Sequence, residues 1–332
     1  MTMDAFELSL LNHFQRDFPL VAKPFAAMAE RLGCAEAEVL DTLRALRSRG
    51  AVSRVGAVVT PRRIGASTLA ALSAPSNRLT EVADRVSAYS EVNHNYEREH
   101  AFNLWFVLAA ADPERLTATL QRIRRETACP VISLPLQEEF HIDLGFDLCG
   151  GRRWHESFRA PAPLRRVDLG DAGRRLMAAL EDGLELVPRP FARLALRSGM
   201  TEDAVLAQLE EWLAERVLKR FGVVVRHHEL GFTANAMAVW DVPDDRVADV
   251  GRRLASETGV TLCYRRSRSL PDWRYNLFCM IHGRRRDEVE QRVAAIRSAQ
   301  GLQELPHALL FSQRRFKQTG ARYLSAGAAA HG

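Results

Sequence analysis

The chain has 332 residues, 47% of them hydrophobic and 26% charged, with 46 Lys and Arg against 41 Asp and Glu. That leaves room for about two ordinary domains and excludes a disulfide-stapled mini-protein, while a net charge of +5 suits an anionic ligand or nucleic acid without requiring either. No run approaches the ~20 apolar residues of a membrane helix, and Met1-Thr-Met-Asp-Ala-Phe-Glu7 lacks the basic and apolar segments of a secretory signal, so the expected location is the cytoplasm.

In chain order, Phe6, Leu8, Leu10, Leu11 and Phe14 mark a first helix, and Pro24 to Leu32 reads as a second. Val39, Leu40, Leu43 and Leu46 form the i, i+3, i+4, i+7 stripe of a third. A β-rich pair at Ala51 to Val59 completes the outline of a winged helix-turn-helix. Then strand, helix, strand, strand, helix and strand follow at Ser67–Ala74, Arg78–Tyr89, Val92–Arg98, Phe102–Leu108, Pro113–Glu126 and Val131–Ile142, a ferredoxin-like βαββαβ unit.

The same order then returns. Leu20-Val-Ala-Lys-Pro-Phe-Ala26 recurs as Leu186-Val-Pro-Arg-Pro-Phe-Ala192, and Gly56-Ala-Val-Val59 as Gly222-Val-Val-Val225, both 166 residues later. Val92–Arg98 answers Val260–Arg266 at an offset of 168, and Asn103-Leu104 answers Asn276-Leu277 at 173. The second copy is expected to hold helices at Leu176–Leu184, Pro190–Arg197 and Glu202–Glu215 and a β segment at Val217–Val225. Its βαββαβ elements fall at Thr233–Val242, Asp245–Thr258, Val260–Arg266, Tyr275–His282, Arg285–Ala299 and Leu302–Phe311. The fold class is therefore α+β, a tandem repeat of winged helix-turn-helix plus ferredoxin-like unit. The expected bounds are 1–60 and 61–149 for copy one, a Gly- and Pro-broken linker at 150–166, 167–225 and 226–324 for copy two, and a flexible tail at 325–332.

This layout resembles the leucine-responsive (Lrp/AsnC) regulators, which implies DNA binding, but the residues argue otherwise. A recognition helix should present basic and amide side chains to phosphates and bases. Helix 202–215 instead carries Glu202, Asp203, Glu210, Glu211 and Glu215 beside one Arg216, and in copy one Glu36, Glu38 and Asp41 offset Arg44, Arg47 and Arg49. No DNA binding is expected.

The chemistry gathers elsewhere. Period-two alternation places Val92, His94, Tyr96 and Arg98 on one strand face and Val260, Leu262, Tyr264 and Arg266 on its counterpart. Arg265, Arg268 and Arg274 follow, and guanidinium groups beside Tyr suit a ligand with several carboxylates. The run Arg284–Arg286 reads as a solvated helix start. His94, His141, His227 and His228 are candidates for proton transfer or metal ligation, and His94 and His141, on strands of one sheet, are expected to share a pocket. No HExxH, phosphate loop or nucleophile elbow is present. Cys34, Cys129, Cys149, Cys263 and Cys279 form no Cys-x-x-Cys and are expected to be reduced and mostly buried.

Together with this layout, Arg226-His-His-Glu-Leu-Gly-Phe-Thr-Ala-Asn-Ala-Met-Ala-Val-Trp240, Leu262-Cys-Tyr-Arg-Arg266, Leu270–Gly283 and Phe140-His-Ile-Asp-Leu-Gly-Phe146 resemble the siroheme decarboxylases, Lrp/AsnC-like proteins usually built from two related subunits. The resemblance covers nearly the whole chain and implies a fused form. It implies loss of CO2 from the C12 and C18 acetates of siroheme, giving 12,18-didecarboxysiroheme for haem d1. Its implied roles are His94 and His141 as proton donors or iron ligand, and Tyr96 and Tyr264 as acids or hydrogen-bond partners. Arg98, Arg265, Arg266 and Arg268 become carboxylate clamps, with His227 or His228 and Trp273 contacting substrate. No organic cofactor is then required, since the iron belongs to the substrate. The expected assembly is an intramolecular pseudo-dimer, open to further self-association and to contact with other haem d1 biosynthesis proteins, with no membrane partner. A tetrapyrrole-responsive regulator is the alternative reading, and a non-catalytic tetrapyrrole carrier a third.

Overall fold

The computed structural model describes residues 3–60, 63–142, 166–226 and 234–324. The expected linker apart from Arg166, the tail from 325, Cys149, His227 and His228 lie outside the described residues. Copy one supplies α1 (Ala5–Phe14), α2 (Pro24–Leu32), α3 (Glu36–Ser48), β1 (Val52–Val59), β2 (Ala66–Leu72), α4 (Leu79–Ala88), β3 (Val92–Arg98), β4 (Leu104–Ala110), α5 (Pro113–Thr127), β5 (Val131–Leu134) and β6 (Leu136–Ile142). Copy two supplies α6 (Gly170–Leu180), α7 (Pro190–Ser198), α8 (Glu202–Ala214), β7 (Leu218–Val225), β8 (Ala234–Trp240), α9 (Val247–Ala255), β9 (Val260–Arg266), β10 (Leu277–Gly283), α10 (Arg286–Ala299) and β11 (His307–Gln318). No described helix is long and apolar enough to cross a membrane.

Local chemistry sets the helix ends. Asp4 and Glu7 form a reciprocal capping box on α1, and Asp112 and Thr201 cap α5 and α8 through their side-chain oxygens. The repeated Pro-Phe pair opens α2 and α7 with proline in the first turn, where its missing N–H costs nothing.

The chain separates into two compact units, each drawing on both copies. The first holds residues 1–66, 145–230 and 320–332. Here β1 and β7 pair antiparallel with Gly56 opposite Gly222, so each expected local β pair is a single strand whose partner comes from the other copy. Phe18 meets Phe25 at 5.8 Å and Phe221 at 5.6 Å, and Phe191 meets Phe221 at 6.1 Å, so this core is shared between copies.

The second unit, 67–144 with 231–319, contains a nine-stranded sheet in the order β5, β2, β4, β3, β11, β8, β10, β9, β6. Two ferredoxin-like sheets are recognisable in it, joined by exchanged strands. β11 pairs through His307–Phe311 with β8 of its own copy, then from Ser312 to Gln318 with β3 of the other. β5 pairs with β2 of its own copy, whereas β6 pairs with β9 of copy two. Two expected strands are corrected accordingly: Val131–Ile142 divides at Pro135, and the last strand runs over 307–318 rather than 302–311. Proline has no N–H for a ladder, and residues 312–318 find their partner in a distant copy that periodicity does not reveal.

Two cores lie between helices and sheet, one around Val82, Val86, Phe106 and Ile123, the other around Val250, Leu254, Cys279 and Val293. A third is built from both copies and includes Trp105, Leu134, Val239, Trp273, Phe278 and Leu310. This third face carries the candidate site. Cys129, Cys263 and Cys279 are buried free thiols, and Cys34 is half-buried.

Candidate substrate site

Strand geometry decides which side chains reach the shared face. Asn95 turns toward α4, donating to Ala83 O and Ser87 Oγ at 3.0 Å each, so its neighbours His94 and Tyr96, with Arg98, lie on the other side. Cys263 likewise turns toward α9, and Tyr264 packs against the shared core, with Leu262 and Arg266 on its side. The expected faces need one correction: Val92 and Val260 pack in the helix-side cores. A register shift between Val92 and His94, and one opposite Val260 and Leu262, reverses the alternation there, as β-bulges do.

Arg98 Nη1 donates to Leu310 O at 2.9 Å, and Arg266 Nη1 to Leu134 O at 3.0 Å, each reaching a carbonyl of the opposite copy. Each guanidinium lies by the tyrosine two residues before it, 5.8 Å from the Tyr96 ring centre and 5.2 Å from that of Tyr264. Burial lowers both arginines to about 10, and burial likewise pushes the Tyr264 hydroxyl up, so that it stays a protonated donor. Among the described residues no carboxylate pairs with Arg98 or Arg266, although a buried charge normally demands a counter-ion. Two such groups on one apolar face suit a large ligand bearing several carboxylates.

The other sequence candidates are placed differently. Arg265 alternates to the opposite face and pairs with Asp244 at 3.2 Å. Arg268 binds Asp241 at 2.8 Å, Asp244 at 2.9 Å and Val242 O at 2.7 Å, and Arg274 binds Asp241 at 2.8 Å. The expected clamp of Arg265, Arg266 and Arg268 is therefore divided, with Arg266 alone on the shared face. Arg286 bridges Glu99 and Glu290 at 2.8 Å each, rather than simply facing solvent. Trp273 is 1% exposed, with ring centres of Trp105, Tyr275 and His100 at 4.9, 5.0 and 5.2 Å. Its buried Nε1 has no hydrogen-bond partner. His94 stacks near Tyr96 at 6.1 Å. His141 is held opposite Cys263 on β9, and four strands separate β3 from β6, so the two histidines expected in one pocket belong to different halves of the sheet.

Sequence reasoning missed His282. Phe278 and Met280 on β10 pack on the shared core while Cys279 and Ile281 face the helices, which turns His282 toward the shared face. Burial, then the charge of Arg98, lowers His282 to about 4 and keeps the imidazole neutral. Period-two alternation from Phe278 would have found it.

Two family profiles match this chain, each twice. The siroheme decarboxylase NirDL-like helix-turn-helix domain covers residues 7–52 and 173–218, and the AsnC-like ligand binding domain covers 63–141 and 229–317. A siroheme decarboxylase NirDL subunit of Paracoccus denitrificans is 48% identical over 97% of this chain and 98% of its own. The chain belongs to the siroheme decarboxylase family. The NirD subunit of siroheme decarboxylase from Pseudomonas aeruginosa is 51% identical and matches over its whole length, which spans 45% of this chain. This member of the family thus holds in one polypeptide a tandem form of what elsewhere occurs as a single-copy subunit. A solved siroheme decarboxylase NirDL, in complex with an iron-uroporphyrin III analogue, is similar with a TM-score of 0.68 and 30% identity, over 96% of this chain and 94% of the other.

Proposed function

We infer that this chain is a siroheme decarboxylase, removing CO2 from the C12 and C18 acetates of siroheme to give 12,18-didecarboxysiroheme for haem d1. The observation that carries this reading is the pair Arg98, buried, and Arg266, half-buried, each beside a tyrosine on an apolar face shared by both copies and unpaired with any described carboxylate. A flat apolar ring fringed by carboxylates matches that face in shape and charge.

The two guanidiniums bind substrate carboxylates and orient the macrocycle, while the half-buried Leu69, Tyr264 and Met280 supply apolar surface over a core of Trp105, Trp273 and Phe278. At the reacting acetate the bond to the carboxyl carbon breaks and CO2 leaves. The electron pair passes into the conjugated ring, and a proton delivered to the methylene completes the methyl group. Electrons balance without an oxidant, so no organic cofactor is required. Tyr264, held protonated by burial, and Tyr96 are suited to donate hydrogen bonds. His94 and His141 are the proton donors of this reading, one for each half of the sheet, and His227 or His228 contributes from copy two. Trp273, expected to contact substrate, is 1% exposed and instead backs the ring site from within the shared core, and Arg265 and Arg268 support it indirectly through their pairs with Asp241 and Asp244. The working unit is the intramolecular pseudo-dimer, in the cytoplasm and without DNA.

Anaerobic incubation with siroheme followed by mass analysis tests the reading. Two successive losses of CO2 are expected, with a monodecarboxylated intermediate at early times. Tight binding without any loss of mass would overturn it in favour of a carrier.

A further inference from the structure

We propose that Trp273 is a positioning residue that makes the two halves of the shared face unequal and thereby fixes which of the two siroheme acetates loses CO2 first. The copies differ in the turn that follows each Tyr and Arg pair. In copy one five residues, 99–103, join β3 to β4, whereas in copy two ten, 267–276, join β9 to β10. Counted back from the repeated Asn103 and Asn276, Trp273 stands where copy one has His100. These counterparts meet, with ring centres 5.2 Å apart and the planes at 70°, an edge-to-face contact. Equivalent positions of the two copies thus touch but carry different groups, an enclosed indole from one and a half-buried imidazole from the other.

The longer turn is pinned. Ser269 and Trp273 exchange backbone hydrogen bonds of 2.9 and 2.7 Å. Arg268 Nε donates to Arg274 O at 2.8 Å, while the same guanidinium meets Asp241 and Asp244, in the segment after β8, at 2.8 and 2.9 Å. The indole is thereby held between two other rings. It meets Trp105 edge-on at 4.9 Å and 66°, and lies closer to parallel with Phe278 at 6.2 Å and 26°. Trp105 is the register partner of Tyr96, and Phe278 that of Tyr264. One side chain therefore backs both Tyr and Arg pairs, and backs them differently. Its Nε1 makes no hydrogen bond, so the breadth of the indole is what it supplies.

A macrocycle held by Arg98 and Arg266 together would have two equivalent orientations if the copies backed it identically. Unequal backing selects one of them, and one acetate then reaches a proton donor before the other. A tenfold preference corresponds to about 1.4 kcal/mol, the scale of a single aromatic contact.

The proposal rests on the decarboxylase reading, and its test separates the two. Anaerobic reactions of the full chain with siroheme are stopped early, and the two monodecarboxylated isomers are separated by chromatography and assigned by NMR after removal of the iron. The wild type should accumulate one isomer in excess by about tenfold or more. Trp273→Leu should bring the ratio close to one. Should that variant fail to fold, Trp273→Phe, which keeps a narrower ring in the core, decides in its place and should cut the ratio at least several-fold. A merely structural role would slow turnover or lower the thermal midpoint at an unchanged isomer ratio, and that outcome would overturn the proposal, as would equal isomers from the wild type. Failure of the decarboxylase reading shows differently, as a wild-type chain that releases no CO2 from siroheme.

Discussion

Arg98 and Arg266 show how much a single residue type depends on its partners. Several arginines crowd the region from 265 to 286, and composition does not rank them. Asp241 and Asp244 neutralise Arg265, Arg268 and Arg274, and their own carboxyls are held below the ordinary range despite the opposing effect of burial, mainly by hydrogen bonds from Arg268. What distinguishes Arg98, buried, and Arg266, half-buried, is that no carboxylate among the described residues pairs with them. Arg98→Ala and Arg266→Ala should each lower kcat/KM for siroheme by roughly ten- to a hundredfold, since a hydrogen bond to a charged group contributes about 1.5 to 3 kcal/mol. Arg98→Lys should recover only part of the loss, because an ammonium cannot meet a carboxylate bidentately. Steady-state kinetics decides this, and unchanged kcat/KM in both alanine variants would remove the clamps from the site. The pairing of Tyr and Arg with the period of a strand was legible in the sequence. The expected clamp joined Arg265 to them although the same alternation turns it to the opposite face, and the ion pairs that engage Arg268 depend on a loop the sequence does not position.

At the scale of elements, α3 and α8 repeat the outline of a DNA-reading helix while presenting a different surface. Val205, Leu209 and Trp212 turn inward on α8, and Asp203, Glu210 and Glu211 face solvent. Glu202 is tied to Arg189. Duplex DNA should give no mobility shift even at low salt, where a regulator of this architecture would be retained most strongly; a salt-sensitive shift would contradict the reading. The strands show where pattern reading stops. Period two placed His94, Tyr96 and Arg98 together, yet it misplaced Val92 and Val260, because a bulge inserts one residue without leaving a compositional mark. The repeated Asn103 and Asn276 show the opposite case. Each clasps a strand end through two 2.9 Å bonds, Asn103 with Ala74 and Asn276 with Val242, so a spacing seen in sequence corresponds to one conserved local device.

Across the whole molecule the two copies complete one another. The repeated glycine of β1 and β7 has its reason here: a Cβ on Gly222 would stand 2.3 Å from Gln15 O and 2.6 Å from Phe14 O, backbone atoms of the other copy. Gly222→Ala should lower the thermal midpoint, costing about 1 to 3 kcal/mol as overpacking does. Gly56→Ala meets the Gly183 Cα at 3.1 Å and should cost less. Equal midpoints for Gly222→Ala and wild type would show that the contact yields freely. The sequence by itself determined the tandem repeat, the helix and strand order of each copy and the strand positions of Tyr96, Arg98, Tyr264 and Arg266, because periodicity and spacing are local properties. Only the tertiary structure decided that β6 and β11 cross to the other copy, that His94 and His141 part company and that His282 joins Arg98 on the shared face. Those outcomes depend on pairing between residues as much as 220 or so apart, such as Ser312 with Arg98, and on which buried charges find a partner.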